Sequence, residues 1–170
     1  MGVRKLLVFP HKQIRAQVIK EYMQAAGYTR AVCFSCGNAA QALQAAGVDV
    51  LHIGERGDLT PNKWYTLAEI KRDFPLCFDA TSGHLPIDLM QALAQAYRHY
   101  LQDSLGDTVY VPTGSGETLV CLKLAYPDKK FYAVYDLNKA TEYSKDAPLN
   151  EMVALLAAGV VRWKKWIERN

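Results

Sequence analysis

Cysteine is scarce in this chain, with four in 170 residues, too few for a small domain stapled by disulfides. Charge of one sign is lacking too. Twenty Lys+Arg against 17 Asp+Glu leave a formal net charge of +3, and the basic residues are scattered, which argues against a dedicated nucleic-acid surface. No apolar run approaches the roughly 18–20 residues needed to span a bilayer. The basic, apolar N-terminus is interrupted by Pro10-His11-Lys12 without a small-residue cleavage site, so residues 3–9 read as a first strand and not as a secretory signal. There is no solenoid-length repeat, no low-complexity tract and no stretch that reads as an interdomain linker. These absences predict a soluble cytoplasmic protein with no membrane or nucleic-acid partner, built as a single α/β domain over residues 1–170.

Half of the residues are hydrophobic and 11% are aromatic, enough apolar surface for one real core. Short apolar segments at 3–9, 31–34, 48–53, 108–111 and 130–135 read as strands covered on both faces. Helical patterns alternate with them at 13–26, 38–46, 86–101, 117–125 and 149–167. Gly27 and Gly47 follow two of these as C-terminal stops, and Pro127 follows another. The alternation predicts a three-layer α/β fold, an open, mainly parallel sheet with helices on both faces. Residues 54–64 and 138–148 are expected to be irregular.

In an open α/β sheet, ligands sit beyond the carboxyl ends of the strands, close to helix N-termini. Two segments have the composition for this. Ser35-Cys36-Gly37-Asn38 leads from a strand into a helix, and Thr113-Gly114-Ser115-Gly116-Glu117-Thr118 does the same later in the chain. Small residues let backbone N–H groups approach an anion, and the helix N-terminus adds favourable partial charge. Glu117 is the awkward member, because a carboxylate repels phosphate, so it is expected to point outward.

The first turn resembles the Ser/Thr-x-Gly-Asn loop of the fold-type II pyridoxal-phosphate enzymes, the group containing threonine synthase, cysteine synthase and the tryptophan synthase β subunit. The second resembles that family's Gly-rich phosphate loop. Lys12, at the start of a helix and 26 positions before Asn38, is similar in placement to the family's Schiff-base lysine. The resemblance extends over residues 8–136 and implies a reduced fold-type II domain binding pyridoxal 5'-phosphate. It implies Lys12 as the catalytic amine, and Asn38, Thr113, Gly114, Ser115, Gly116 and Thr118 as cofactor contacts. The activity implied is that of a lyase or β/γ-replacement enzyme on a small amino acid. Ser35, Cys36 and Gly37 would meet the substrate. So would Ser82 and His84, from a third small turn, Asp79-Ala80-Thr81-Ser82-Gly83-His84. The chain departs from the family in its shortness, in Phe9-Pro10-His11 before the lysine, in Gln13 after it, and in having no clear C-terminal hydroxyl or thiol for the pyridine nitrogen.

Pyridoxal phosphate needs an amine with a neutral fraction. Arg15, three residues on and on the same helical face as Lys12, is a neighbouring cation of the kind that disfavours protonation. Two other readings stand beside this one. A non-catalytic module on a degenerate fold of this type would keep the turns for a phosphorylated ligand or a partner. A thiol redox protein would use Cys33 and Cys36, which form C-x-x-C, although Cys33 is expected to point into the core. No metal site is expected. Thr81 or Ser82 would, on a purely structural reading, cap the helix at 86–101. A homodimer is expected to close the cofactor cleft, with Trp163 and Trp166 as candidate contacts.

Overall fold

The computed structural model describes residues 6–33, 38–53, 64–113 and 116–135. Its elements are α1 (His11–Ala26), β1 (Arg30–Cys33), α2 (Asn38–Ala45), β2 (Val50–Ile53), β3 (Trp64–Tyr65), α3 (Leu67–Asp73), β4 (Cys77–Asp79), α4 (Ile87–Leu101), β5 (Thr108–Thr113), α5 (Glu117–Ala125) and β6 (Lys130–Tyr135). The expected strand at 3–9 lies partly outside the described residues, and of its described part Leu6 bridges to Tyr110 in parallel. The expected helix at 149–167, with Trp163 and Trp166, lies wholly outside them. The chain falls into two compact units, Pro10–Leu89 and Met1–Phe9 with Met90–Asn170, so the boundary lies within the first turn of α4.

In the first unit four strands pair in the order β3-β2-β1-β4, every pair parallel. Side-chain parity sets the layers, because successive residues of a strand face opposite sides. Val32 joins Leu51, Ile53 and Ile70 in one apolar cluster with Tyr65, Phe74 and Cys77 packed against it, which places α3 on that side. Ala31 therefore faces the other way, as does Phe78, its register partner. The Phe78 ring lies 5.4 Å from that of Tyr22 in α1, and α1 packs along α2. The result is the three-layer arrangement expected of the alternating pattern, with α1 and α2 on one side of a parallel sheet and α3 on the other. α1 buries Ala16, Ile19 and Met23, and α2 buries Ala40 and Leu43, the spacing of one helical face.

The local signals act where expected. Pro10 precedes α1, and its carbonyl accepts from Ile14 N at 3.1 Å. Gly27 ends the helix at φ +81°, a left-handed conformation that glycine adopts without steric cost. α3 opens with a capping box in which Thr66 Oγ1 accepts from Glu69 N at 3.2 Å and Glu69 Oε2 accepts from Thr66 N at 2.9 Å.

In the second unit β5 and β6 run parallel through six register pairs, Thr108↔Lys130 to Thr113↔Tyr135, connected by α5. Tyr97 of α4 is fully buried, with the Phe9 ring edge-on to it at 5.1 Å. Cys121 of α5 sits 3.8 Å from the Met90 sulfur. Among the described residues no helix is long and apolar enough to cross a membrane.

Candidate functional site

Because the first unit's strands are all parallel, their carboxyl ends share one edge. Two of its helices begin there. β1 ends at Cys33 and α2 begins at Asn38, so Asn38 lies at that edge, exposed. α1 runs into β1 through Gly27, which puts its C-terminus at the opposite edge and its first turns at the carboxyl edge. Arg15 demonstrates this. The residue is 3% exposed, and its Nη2 donates to the Ala80 carbonyl, just past β4, at 2.7 Å. Lys12 stands one turn further out on the same face, half-buried. The first turn of α1 contains no acidic residue, so a lysine there faces the positive end of the helix dipole. Helix stability alone does not select that placement.

The turn after β4 closes the edge. Asp79 Oδ1 accepts from Thr81 N at 3.0 Å, and Asp79 Oδ2 lies 3.0 Å from His84 Nδ1. Gly83 at φ +88° lets the backbone fold the ring over the carboxylate. Ser82 is exposed in this turn. The capping role considered for Thr81 or Ser82 is not realised. Pro86 directly precedes α4, and the buried Thr81 Oγ1 has no hydrogen-bond partner among the described residues. Lys12, Asn38, Ser82 and His84 are thus all placed at one sheet edge. Asp79, which orients His84, and the close tie from Arg15 to Ala80 were not legible in residue spacing.

The Gly-rich segment belongs to the second unit. β5 ends at Thr113 and α5 starts at Glu117, the strand–turn–helix order expected. Gly114 and Ser115 lie outside the described residues, as do Ser35, Cys36 and Gly37. Gly116 is the residue before α5, buried, with φ +93°, and Thr118 is half-buried. Glu117 does not point outward as expected. It is 3% exposed, and a carboxylate in a first helical turn is itself favoured by the dipole.

Left-handed Gly116 makes its replacement costly by roughly 1 kcal/mol whatever the turn binds, and Asn and Asp tolerate that conformation similarly. Comparing Gly116→Asn with Gly116→Asp therefore isolates charge. If the turn holds a phosphate, equilibrium dialysis against pyridoxal 5'-phosphate is expected to show the Asp variant binding at least about tenfold more weakly than the Asn variant. Equal binding places the phosphate elsewhere.

The thiols show no sign of activation among the described residues. Cys33 and Cys121 are buried, Cys33 in β1 as expected. Burial pushes the Cys77 thiol up to about 11, against a smaller opposing effect from Arg30. Since the thiolate is the nucleophile, roughly a thousandth of Cys77 is reactive at pH 8. Peptide mapping after brief iodoacetamide treatment is expected to find Cys77 unmodified at pH 8 and increasingly modified towards pH 11. Rapid labelling at pH 8 would contradict this environment. No cluster of three or more metal-ligating side chains occurs among the described residues.

No family model matches the chain, and no curated protein matches it. Among solved structures it is similar to a pyridoxal 5'-phosphate-dependent aspartate racemase, at 13% sequence identity and a TM-score of 0.48, over 73% of this chain and 46% of that one. The chain spans less than half of that structure's length, and a likeness this distant leaves cofactor and reaction to be argued from the residues themselves.

Proposed function

We propose that the protein binds pyridoxal 5'-phosphate and acts on a small amino acid as a lyase or β/γ-replacement enzyme, with Lys12 as the amine that bonds the cofactor aldehyde. The observation that supports this is that Lys12, Asn38 and the residue 79–84 turn all lie at the carboxyl edge of the parallel sheet. That is the edge where α/β folds place ligands. Three residue types selected on sequence for one chemistry share an edge although they are far apart in the chain.

The residues fit the cofactor in kind. Lys12 supplies a half-buried amine. Asn38, exposed at the start of α2, offers an amide for the ring oxygen. Ser82 and His84 provide polar contacts for an amino acid. Thr113, Gly114, Ser115, Gly116 and Thr118 are phosphate contacts by the loop's resemblance alone, with Gly116 left-handed before α5. Buried Glu117 opposes an anion there, which is why the Gly116 comparison is a separate test. When bound, the cofactor supplies an electron sink for bonds broken at the amino acid's α-carbon. The protein's part is to bind, orient and move protons. A homodimer through the C-terminal segment carrying Trp163 and Trp166 belongs to the same proposal.

Purified protein mixed with the cofactor is expected to develop an absorbance band at the edge of the visible, which borohydride abolishes while fixing the label on Lys12. A protein that stays colourless with added cofactor overturns the proposal.

A further inference from the structure

We propose that His84, held by Asp79, is the proton carrier for the amino acid bound at this edge, an inference that rests on the reading above. The geometry begins with the carboxylate. Asp79 has both oxygens committed, Oδ1 to Thr81 N and Oδ2 to His84 Nδ1, each at 3.0 Å. An ionised carboxylate only accepts, so in the neutral imidazole Nδ1 carries the hydrogen and Nε2 carries the lone pair. The side chain is 40% exposed.

Two further features separate this turn from an ordinary ordered loop. Thr81 Oγ1, in the same turn, is buried without a hydrogen-bond partner among the described residues, and buried polar groups are nearly always satisfied. The fold leaves a hydrogen-bonding position unused beside the dyad. Strand parity is the second feature. Asp79 is in register with Val32, on the α3 side of the sheet, whereas Lys12 belongs to α1 on the other side. An amino acid lying across the edge thus has the amine approaching from one side of the sheet and the imidazole from the other.

The step balances within the substrate and His84. Nε2 takes the proton from the α-carbon, and the electron pair of that C–H bond stays with the substrate. Nε2–H then returns the proton to the α-carbon or delivers it to a group leaving the β-carbon, and the ring is neutral again. No oxidant or reductant is required. His84 is the catalytic residue and Asp79 the positioning residue.

Two readouts test this. The first needs no cofactor. In protein labelled with 15N at histidine, NMR is expected to show His84 as the Nδ1–H tautomer, and Asp79→Asn is expected to displace that equilibrium towards Nε2–H. An Nε2–H tautomer in the unsubstituted protein overturns the proposal. The second uses protein loaded with pyridoxal 5'-phosphate in D2O with a mixture of the twenty L-amino acids, so that no substrate has to be guessed. Mass spectrometry is expected to find deuterium at the α-carbon of at least one amino acid. His84→Gln is expected to slow that exchange by about 10² or more with the borohydride label on Lys12 intact, and added imidazole is expected to restore part of it in His84→Gly. Exchange unchanged in His84→Gln, or absent from labelled unsubstituted protein, overturns this inference alone. Absence of the Lys12 label overturns the proposed function and this step together.

Discussion

Lys12→Ala is expected to abolish the borohydride-stable cofactor adduct completely, with no label transferred to another lysine. The effect is all-or-none because the covalent bond requires an amine at that position. Lys12→Arg is the informative companion. It retains the positive charge, but a guanidinium stays protonated and cannot take the amine's place. If the charge merely attracted an anion, Lys12→Arg would behave like the unsubstituted protein. If the amine is the reacting group, both variants lose the label. Lys20 provides an internal control within α1, since its Nζ donates to the Ala46 carbonyl at 2.8 Å and ties α1 to the end of α2. Label recovered on Lys20 would remove Lys12 from its assigned role.

Arg15→Met is expected to destabilise the protein by about 2 kcal/mol. The guanidinium is buried, and its 2.7 Å bond to Ala80 O links residues 65 apart in sequence. A hydrogen bond from a charged donor contributes a net ~1.5–3 kcal/mol, and its loss leaves a carbonyl to be satisfied. Relief of the buried charge acts in the other direction. Methionine keeps most of the apolar stem, so lost packing is kept out of the comparison. Arg15→Ala loses that packing too and is expected to cost about 1 kcal/mol more. The measurement is the urea midpoint at unchanged slope. Equal midpoints for Arg15→Met and the unsubstituted protein would mean that desolvation of the cation cancels the bond. Because Ala80 lies between Asp79 and His84 in the chain, Arg15→Met should also blur the His84 tautomer preference.

The elements differ in how far they were legible. α5 and β6 occupy the residues their patterns indicate, and α1 ends at Gly27 as expected, although it starts at His11 and not at Gln13. β3, α3 and β4 were missed. α3 carried a readable signal, Thr66 with Glu69 three residues on, which is a capping box. β4 carried none. Three residues are too few to show a period, and Cys77-Phe78-Asp79 becomes a strand because β1 offers it a parallel partner. His84 was recognisable by residue type, while Asp79 as its partner was not. Their contact, five residues apart, depends on the reversal at Gly83.

Local pattern by itself determined the α/β class, the position of Lys12 at a helix start and of Asn38 at a strand–helix junction, and the glycine at the head of α5. All of these follow from hydrophobic periodicity and from backbone preferences that act over a few residues. Only the tertiary structure decided the strand order β3-β2-β1-β4, the side of the sheet each helix covers, the burial of Arg15 and Glu117, and the gathering of Lys12, Asn38, Asp79 and His84 at one edge. The reason is that strand order and burial arise from pairings between segments tens of residues apart. No short-range preference encodes such pairings, and they become favourable only when the whole apolar surface is covered at once.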